Sequence, residues 1–190
     1  MERERKQRAK EEYAIVLDYL KNGYSQDSRP FHQKESIIQA IGKNHFVLLE
    51  LVPKPNLEFK PHDEIYIGDG DRDKISYIKG SLKMETLTQT SKNEIRFIIE
   101  KLVEDNEQKY IDFYNKSGPI SLRSHQLEIL PGIGKKHTRE LLEARIIKPF
   151  TSFVNIKERI SSVPSPKKAI IDRIMVELDD GDRFKLFVRV

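Results

Sequence analysis

The spacing of apolar positions along the chain changes character near residue 85. Before that point, apolar, aromatic and β-branched residues form short runs bounded by turn-forming residues, which is the pattern of β-strands. These runs predict five strands, at residues 13–20, 35–41, 45–52, 64–67 and 74–78. Five short strands separated by turns fit a small β-barrel, and an oligonucleotide-binding (OB) type barrel is the architecture we expect.

The run at residues 13–20 could form either a strand or a helix. With Ala9 added, its apolar residues also have helical spacing: Ala9, Tyr13, Val16, Leu17 and Leu20. We interpret residues 13–20 as a strand and residues 1–12 as a charged arm before it.

After residue 85 the apolar period is helical. Ser91 to Glu94 reads as a capping box, and four apolar residues behind it form one helical face: Ile95, Ile98, Ile99 and Leu102. A helix, broken or continuous, is expected to run on through Tyr114 until residues 117–119, Ser-Gly-Pro, stop it. Ser165 and Pro166 predict the start of a later helix.

The last residues alternate between apolar and charged side chains, which predicts a strand at 183–190 that returns to the first domain. The chain therefore reads as α+β. We expect a β-barrel-like domain at 13–84, an all-α domain at 85–182 and the C-terminal strand.

Composition narrows the class of protein. The 190 residues include no Cys, which excludes disulfides and favours an intracellular protein. No apolar run reaches membrane-spanning length, and the charged start lacks the apolar centre of a signal peptide. We therefore expect a soluble cytoplasmic protein that does not interact with a membrane.

Residues 127–145 carry the most informative local chemistry. An apolar segment ending at Leu130 runs into Pro-Gly-Ile-Gly at 131–134, and a helix with apolar Leu141 and Leu142 follows at once. Two glycines around one apolar residue permit a tight turn that a ligand can approach closely. The turn precedes a helix N-terminus, which favours anions such as phosphate. The segment resembles the helix-hairpin-helix motif of nucleic-acid-binding proteins.

The resemblance implies specific roles. The amides of Gly132, Gly134 and Lys136 would donate to one phosphate, while Lys135 and Arg139 add positive charge. In some members of the motif, backbone carbonyls hold a monovalent cation, and the matching residues are Glu128, Leu130 and Ile133. Ile133 would also anchor the turn between its two helices. The alternative is a plain helical hairpin with a glycine turn.

The distribution of charge supports this site. The whole chain carries only +4, and residues 117–160 hold eight basic against four acidic side chains, so this segment alone accounts for the excess. A second, degenerate motif is expected around residues 150–174. It lacks the Gly-x-Gly element, but Lys167 and Lys168 could still contact a nucleic-acid backbone.

Loops of the predicted barrel hold weaker candidates. Cations and an aromatic ring that could contact a single strand cluster in one loop, at Arg29, Phe31, His32 and Lys34. Arg72 and Lys74 are of the same kind, and simple packing of these loops is an equal alternative. Residues 69–73 lack the glycine and closing carboxylate of a calcium loop, and we find no nucleophile or nucleotide motif. We therefore expect neither an enzyme nor a cofactor, apart from the structural monovalent cation considered above.

Four stretches together resemble an uncharacterised archaeal family that is expected to bind nucleic acid. They are residues 13–20, 66–75, 125–136 and 185–189. The resemblance implies a barrel-like domain joined to a helix-hairpin-helix domain, and a gene neighbourhood rich in translation and ribosome-maturation genes. We therefore expect a non-enzymatic nucleic-acid-binding protein, with RNA favoured over DNA. The alternative is an adaptor that binds protein partners through its helical hairpins.

Overall fold

A computed structural model describes residues 10–30, 33–180 and 184–189 as a mixed α+β protein. Its strands are β1 (Tyr13–Leu20), β2 (Ile37–Gly42), β3 (Leu48–Pro53), β4 (Glu64–Tyr66), β5 (Ile75–Ser81), β6 (Pro119–Ser121) and β7 (Ser124–His125). Its helices are α1 (Gln89–Asp105), α2 (Glu107–Lys116), α3 (Lys135–Ile147), α4 (Phe153–Arg159) and α5 (Pro166–Leu178). All five predicted strands are confirmed, and residues 13–20 form a strand rather than a helix.

The first five strands form one antiparallel sheet in the order β4-β1-β2-β3-β5. Irregular register within the β1–β2 and β3–β5 pairs lets the sheet bend, and it curls into a half-barrel. In the described residues β4 and β5 form no ladder with each other, so the expected closed barrel is replaced by an open one. A β4 of three residues offers little edge for closure.

The half-barrel is held by a continuous apolar cluster on its inner face. The cluster comprises Ala14, Val16, Ile38, Ala40, Leu49, Leu51, Phe59, Ile65, Ile67 and Ile75. Every residue of β2 is buried, so this central strand is covered on both faces. Strand alternation explains the choice of residues, because Ile38 and Ala40 point to the inner face and Gln39 points away from it.

Gln39 receives the start of α1 on the outer face of the sheet. Its side-chain oxygen accepts hydrogen bonds from the Thr88 amide (2.9 Å) and the Ser91 hydroxyl (2.7 Å). The predicted cap at Ser91 is wrong, because the helix begins two residues earlier at Gln89. The Thr88 hydroxyl accepts the Ser91 amide at 3.1 Å and so caps the first turn.

The chain divides into two compact units. Unit 1 comprises residues 1–98 and 177–190, and unit 2 comprises residues 99–176. The boundaries fall inside α1 and α5. Unit 1 therefore contains the start of α1 and the end of α5 in addition to its strands. Within the described part of the chain, every helix is too short or too polar to span a lipid bilayer.

The predicted C-terminal strand is not formed over residues 184–189. The buried carboxylate of Glu177 instead accepts the amides of Leu186, Phe187 and Val188 at 2.8–2.9 Å. In the described residues, the Arg189 amide also donates to the carbonyl of His45 (3.2 Å), in the turn between β2 and β3. Phe187 and Val188 are adjacent and both buried while Arg189 is exposed, so burial here does not follow the alternation of a strand.

Unit 2 is mainly helical. The helix expected from Ser91 through Tyr114, broken or continuous, is broken at Asn106, which separates α1 from α2. A small hairpin of β6 and β7 follows, and a short 3-10 turn at Gln126–Ile129 replaces the helix end expected around Leu127. Ser165 precedes α5 as predicted, with its hydroxyl accepting the Lys168 amide at 3.3 Å.

Candidate nucleic-acid interface

The glycine turn, residues 131–134, joins the 3-10 turn to α3. His125 Nδ1 accepts the Leu127 amide (3.1 Å) and so begins the 3-10 turn. The Ile133 amide then donates to the Leu130 carbonyl at 3.0 Å, which closes the chain on itself just before the helix. Leu127, Leu130 and Ile133 are all buried, so Ile133 has the anchoring position expected for it.

The two glycines of the turn are there for different reasons. Gly132 has a φ of 80°, a left-handed conformation that glycine adopts without strain. A Cβ on Gly132 would also lie 3.3 Å from Pro164 Cγ. Gly134 has an ordinary φ of −96°, and a Cβ there would meet no atom within 4 Å. Backbone conformation and close packing require glycine at 132, whereas at 134 glycine is one of several residues that suit an N-cap.

The start of α3 leaves backbone donors open. Gly134 is the N-cap residue and makes no side-chain cap, and the first helical bond runs from the Thr138 amide to the Gly134 carbonyl (2.9 Å). Among the described residues, no acceptor faces the amides of Gly132, Gly134, Lys135, Lys136 or His137. A cluster of open amides at a helix start is a binding surface for an anion.

Three exposed cations, which we call the turn cations, surround these amides: Lys135, Lys136 and Arg139. Lys136 and Arg139 have only long contacts of 3.9 Å, to Glu140 and Glu143 of the next helical turn. Glu140 also accepts a short hydrogen bond from the Ser162 hydroxyl. The Lys135 ammonium has no acidic partner in the described ranges. The turn cations can therefore approach an incoming phosphate without first breaking a tight ion pair.

Three other basic residues of the segment support the fold instead. The Arg145 guanidinium donates to the carbonyls of Tyr114 and Ser117, both at 2.9 Å, and burial lowers its pKa. Arg159 donates to the carbonyls of Lys148 and Ala144 and lies over the Phe150 ring. The Lys157 ammonium donates to the carbonyls of Ser161 and Val163. The charge excess of residues 117–160 is therefore only partly available to a ligand.

Comparison with known proteins places the whole chain in one family. Residues 10–189 match the family described as "Protein of unknown function (DUF655)". The chain belongs to the DUF655 family. It is 40% identical over 181 residues to the uncharacterized protein MJ0038 of Methanocaldococcus jannaschii, with 94% of this chain and 80% of that protein covered. The crystal structure of Af1531 from Archaeoglobus fulgidus, a DUF655 protein, has a TM-score of 0.86, 39% identity, and covers 93% of this chain and 99% of that one.

The residues expected to form a second motif in this DUF655 protein include α4, α5 and the turn between them. Lys167 is held by Glu104 at 2.6 Å and by Glu100 at 3.5 Å, which raises its pKa through the hydrogen bond to Glu104. Lys168 is exposed and has a contact of 3.6 Å with Asp172. Lys168 is therefore the more accessible of the two predicted contacts.

The carbonyls expected to hold a cation are placed around the glycine turn. The Leu130 carbonyl already accepts the Ile133 amide, while those of Glu128 and Ile133 accept no hydrogen bond from the described residues. Two of the three oxygens therefore have free lone pairs. Across the described ranges, His, Asp and Glu side chains form no cluster of three that could hold a metal ion.

Most of the half-barrel residues predicted to contact nucleic acid already make hydrogen bonds or ion pairs within the protein. Arg29 makes a bidentate pair with Asp27 (2.7–3.1 Å), and this hydrogen bonding lowers the pKa of Asp27 to about 2. Lys34 is half-buried, and Lys74 reaches the Glu64 carbonyl at 3.4 Å. Arg72 donates through Nε to the Gly68 carbonyl at 2.8 Å. Phe31 and His32 lie outside the described residues.

Three features near the turn were not predicted from the sequence. His137 Nδ1 lies 3.2 Å from the Gly132 carbonyl, and Pro164 of the α4–α5 turn packs beside Gly132. Thr138 Oγ1 is buried at the start of α3 and has no hydrogen-bond partner in the described part of the protein. A histidine in the first turn of α3 was the one available signal, and it has no distinctive spacing.

Proposed function

We propose that this DUF655 protein is a non-enzymatic nucleic-acid-binding protein that holds the sugar-phosphate backbone at the glycine turn. In this proposal the 3-10 turn, residues 131–134 and α3 act as a helix-hairpin-helix, and α4 with α5 acts as its degenerate, supporting repeat. The half-barrel is interpreted as OB-like. RNA is favoured over DNA, on the gene neighbourhood that the family resemblance implies.

The glycine at 134 carries the proposal. Glycine is normally retained where φ is positive or where another group lies close to the backbone. Gly134 has neither an unusual φ nor a close neighbour within the protein. Open amides and the turn cations lie beside it. A ligand oxygen that approaches the backbone at this point explains both the missing side chain and the unused donors.

The test is Gly134→Asp. Aspartate is a favourable N-cap residue, so helix α3 should be as stable as before or more stable. Its carboxylate would occupy and repel the site of the phosphate. We expect affinity for nucleic acid to fall by about tenfold or more while the melting temperature stays equal or rises. Fluorescence anisotropy with single- and double-stranded RNA and DNA probes of one sequence, across a salt series, measures the effect.

A matched control is Gly118→Asp. Gly118 lies in the same unit, has an ordinary φ, and would place its Cβ in open space. The substitution changes net charge by the same amount, and it should change affinity by less than about threefold. Equal losses in both variants, or no salt-sensitive binding of the wild type to any probe, would contradict the proposal.

One observation favours the adaptor alternative. Ile146 and Ile147, at the end of α3, are 82% and 84% exposed, and Val154 of α4 is 65% exposed. Exposed large apolar side chains that form a patch are typical of a protein interface. A protein partner bound there should dissociate little when salt is added, whereas phosphate binding weakens steeply with salt. The double substitution Ile146→Ser/Ile147→Ser should abolish binding of the protein partner and leave phosphate binding unchanged.

A further inference from the structure

The open side of the half-barrel contains a cleft of about 690 Å³. Its lining comes from β3 and β5, from the end of β4 and from the residues just before β1, all within unit 1. The floor is apolar and includes Val47, Leu49, Ile67 and Ile78. Leu49 and Ile67 also belong to the inner core, so the cleft is an extension of that core that opens to solvent. Its volume is that of a site for a small organic ligand.

Most charged groups around the cleft are already neutralised. Lys10 pairs with Asp69 at 2.6 Å, and Lys79 pairs with Glu50 at 2.9 Å. The buried Glu11 carboxylate accepts the amides of Asn44 (2.9 Å) and His45 (2.7 Å), which fixes it as a structural group. Glu12 is exposed, so water screens its charge. These groups leave one half-buried cation for a ligand.

That cation is Arg72. Its Nε donates to the Gly68 carbonyl at 2.8 Å, which fixes the plane of the guanidinium group. Among the described residues, its two terminal nitrogens have no acceptor and no carboxylate within ion-pair distance. A guanidinium held by Nε presents the other two nitrogens as a fork, the geometry that matches a carboxylate, sulfonate or phosphate.

Gly80 adds an independent observation. It lies inside strand β5, where glycine weakens the strand, and it lines the cleft. It lies at the irregular β3–β5 register, opposite Glu50, and its φ is not positive. A Cβ on Gly80 would meet no atom within 4 Å. The backbone at Gly80 is therefore open to the cleft, and a ligand there can approach it without meeting a side chain.

We propose that the cleft binds a small amphipathic anion, with an apolar or aromatic body on the floor and an acidic group on Arg72. The lining contains no Asn or Gln side chain, the kind that pairs with the edge of a base such as adenine. This favours a hydrocarbon or simple aromatic body. The proposal concerns unit 1 and does not depend on nucleic-acid binding by the glycine turn.

The test uses the full chain and two dyes of similar aromatic body. Anilinonaphthalene sulfonate carries an anion, and N-phenylnaphthylamine is neutral. Fluorescence titration should show saturable binding of the sulfonate with one site per chain, and about tenfold weaker binding of the neutral dye. Arg72→Gln retains a donor for the Gly68 carbonyl and should remove this preference for the anion.

Gly80→Ala and Gly80→Val form a graded series that fills the cleft. Both favour the strand, so thermal stability should hold or increase, while dye affinity should fall more for valine than for alanine. Gly134→Asp serves as the control and should bind the dye like the wild type, just as Gly80→Val should bind nucleic acid like the wild type. The proposal is overturned if the sulfonate does not bind at a single site, or if its affinity is unchanged in Gly80→Val or in Arg72→Gln.

Discussion

Cations on the half-barrel and cations beside the glycine turn differ in how they are paired. Five half-barrel cations contact a carboxylate at 2.5–2.9 Å: Lys10, Lys21, Arg29, Lys43 and Lys79. At the turn, Lys136 and Arg139 have contacts of 3.9 Å, and Lys135 has none in the described part of the chain. The difference shows that the number of basic residues in a segment does not tell how many of them lack a close carboxylate. A carboxylate held close to a cation offsets part of its charge, so the pair attracts a phosphate less strongly than the cation alone.

Removing two turn cations should have the largest effect. Lys135→Ala/Lys136→Ala should weaken nucleic-acid binding by about tenfold to a hundredfold at low salt, because two phosphate contacts are lost. The slope of log affinity against log salt should fall by about two. Anisotropy titrations across a salt series measure both quantities.

The matched control is Lys21→Ala/Lys43→Ala in the half-barrel. It removes the same charge from residues paired with Glu58 and Glu64. The salt slope should hardly change. If both double variants lose the same affinity, net charge rather than pairing governs binding, and the comparison fails.

The second prediction separates the two glycines of the turn. Gly132→Ala forces a residue with a Cβ to a φ of 80° and against Pro164 Cγ. We expect a loss of about 1–2 kcal/mol in the free energy of unfolding. Gly134→Ala should cost under about 1 kcal/mol, because only the N-cap preference changes. Urea unfolding of the two variants measures this, and an equal cost for both would remove the structural distinction between them.

The third prediction concerns the half-barrel lysines once their carboxylate partners are removed, which makes them resemble the turn cations. Glu58→Gln/Glu64→Gln leaves Lys21 and Lys43 without their carboxylates while keeping both lysines. If pairing is what keeps these cations from a ligand, affinity for nucleic acid should rise by about twofold to fivefold at low salt. The increase should be absent when the same substitutions are combined with Lys21→Ala/Lys43→Ala.

The smallest effect is expected from His125, which begins the 3-10 turn. Burial, followed by the charge of Arg145, lowers its pKa below 6.5, and Nδ1 must be unprotonated to accept the Leu127 amide. Its contribution to stability is therefore complete above about pH 6.5 and is lost as pH falls through the lower, folded-state pKa. We expect a loss of a few tenths of a kcal/mol. Unfolding measured from pH 8 to pH 5 should show this loss in the wild type and not in His125→Asn.

The sequence was informative where one local pattern determines the structure. Residues 13–20 form a strand with the predicted bounds, and Ser165 caps α5 as expected. It was uninformative where the answer depends on distant partners. Thr88 rather than Ser91 caps α1. The Gln39 side chain, on strand β2, accepts hydrogen bonds from the Thr88 amide and the Ser91 hydroxyl. The barrel stays open because its closure depends on edge pairing between β4 and β5, which no single segment encodes.

The candidate sites show the same division. Pro-Gly-Ile-Gly at 131–134 identified the turn and its buried anchor, Ile133. Arg145 and Arg159 also counted as basic residues of that segment, and only the fold shows that backbone carbonyls hold them. The cleft was missed entirely, because its lining comes from four separate stretches of chain and Gly80 has no motif around it.

The buried carboxylate of Glu177 has a consequence for the synthesis of this protein. It binds the amides of residues 186–188, and the Arg189 amide reaches back to His45, so unit 1 combines the early part of the chain with residues made after unit 2. A ribosome therefore releases the strands of unit 1 first but completes that unit last. Unit 2, a continuous stretch of 78 residues from 99 to 176, has all its residues available earlier. During translation the half-barrel is synthesised before its C-terminal contacts can form. Unit 2 can therefore complete its folding before unit 1.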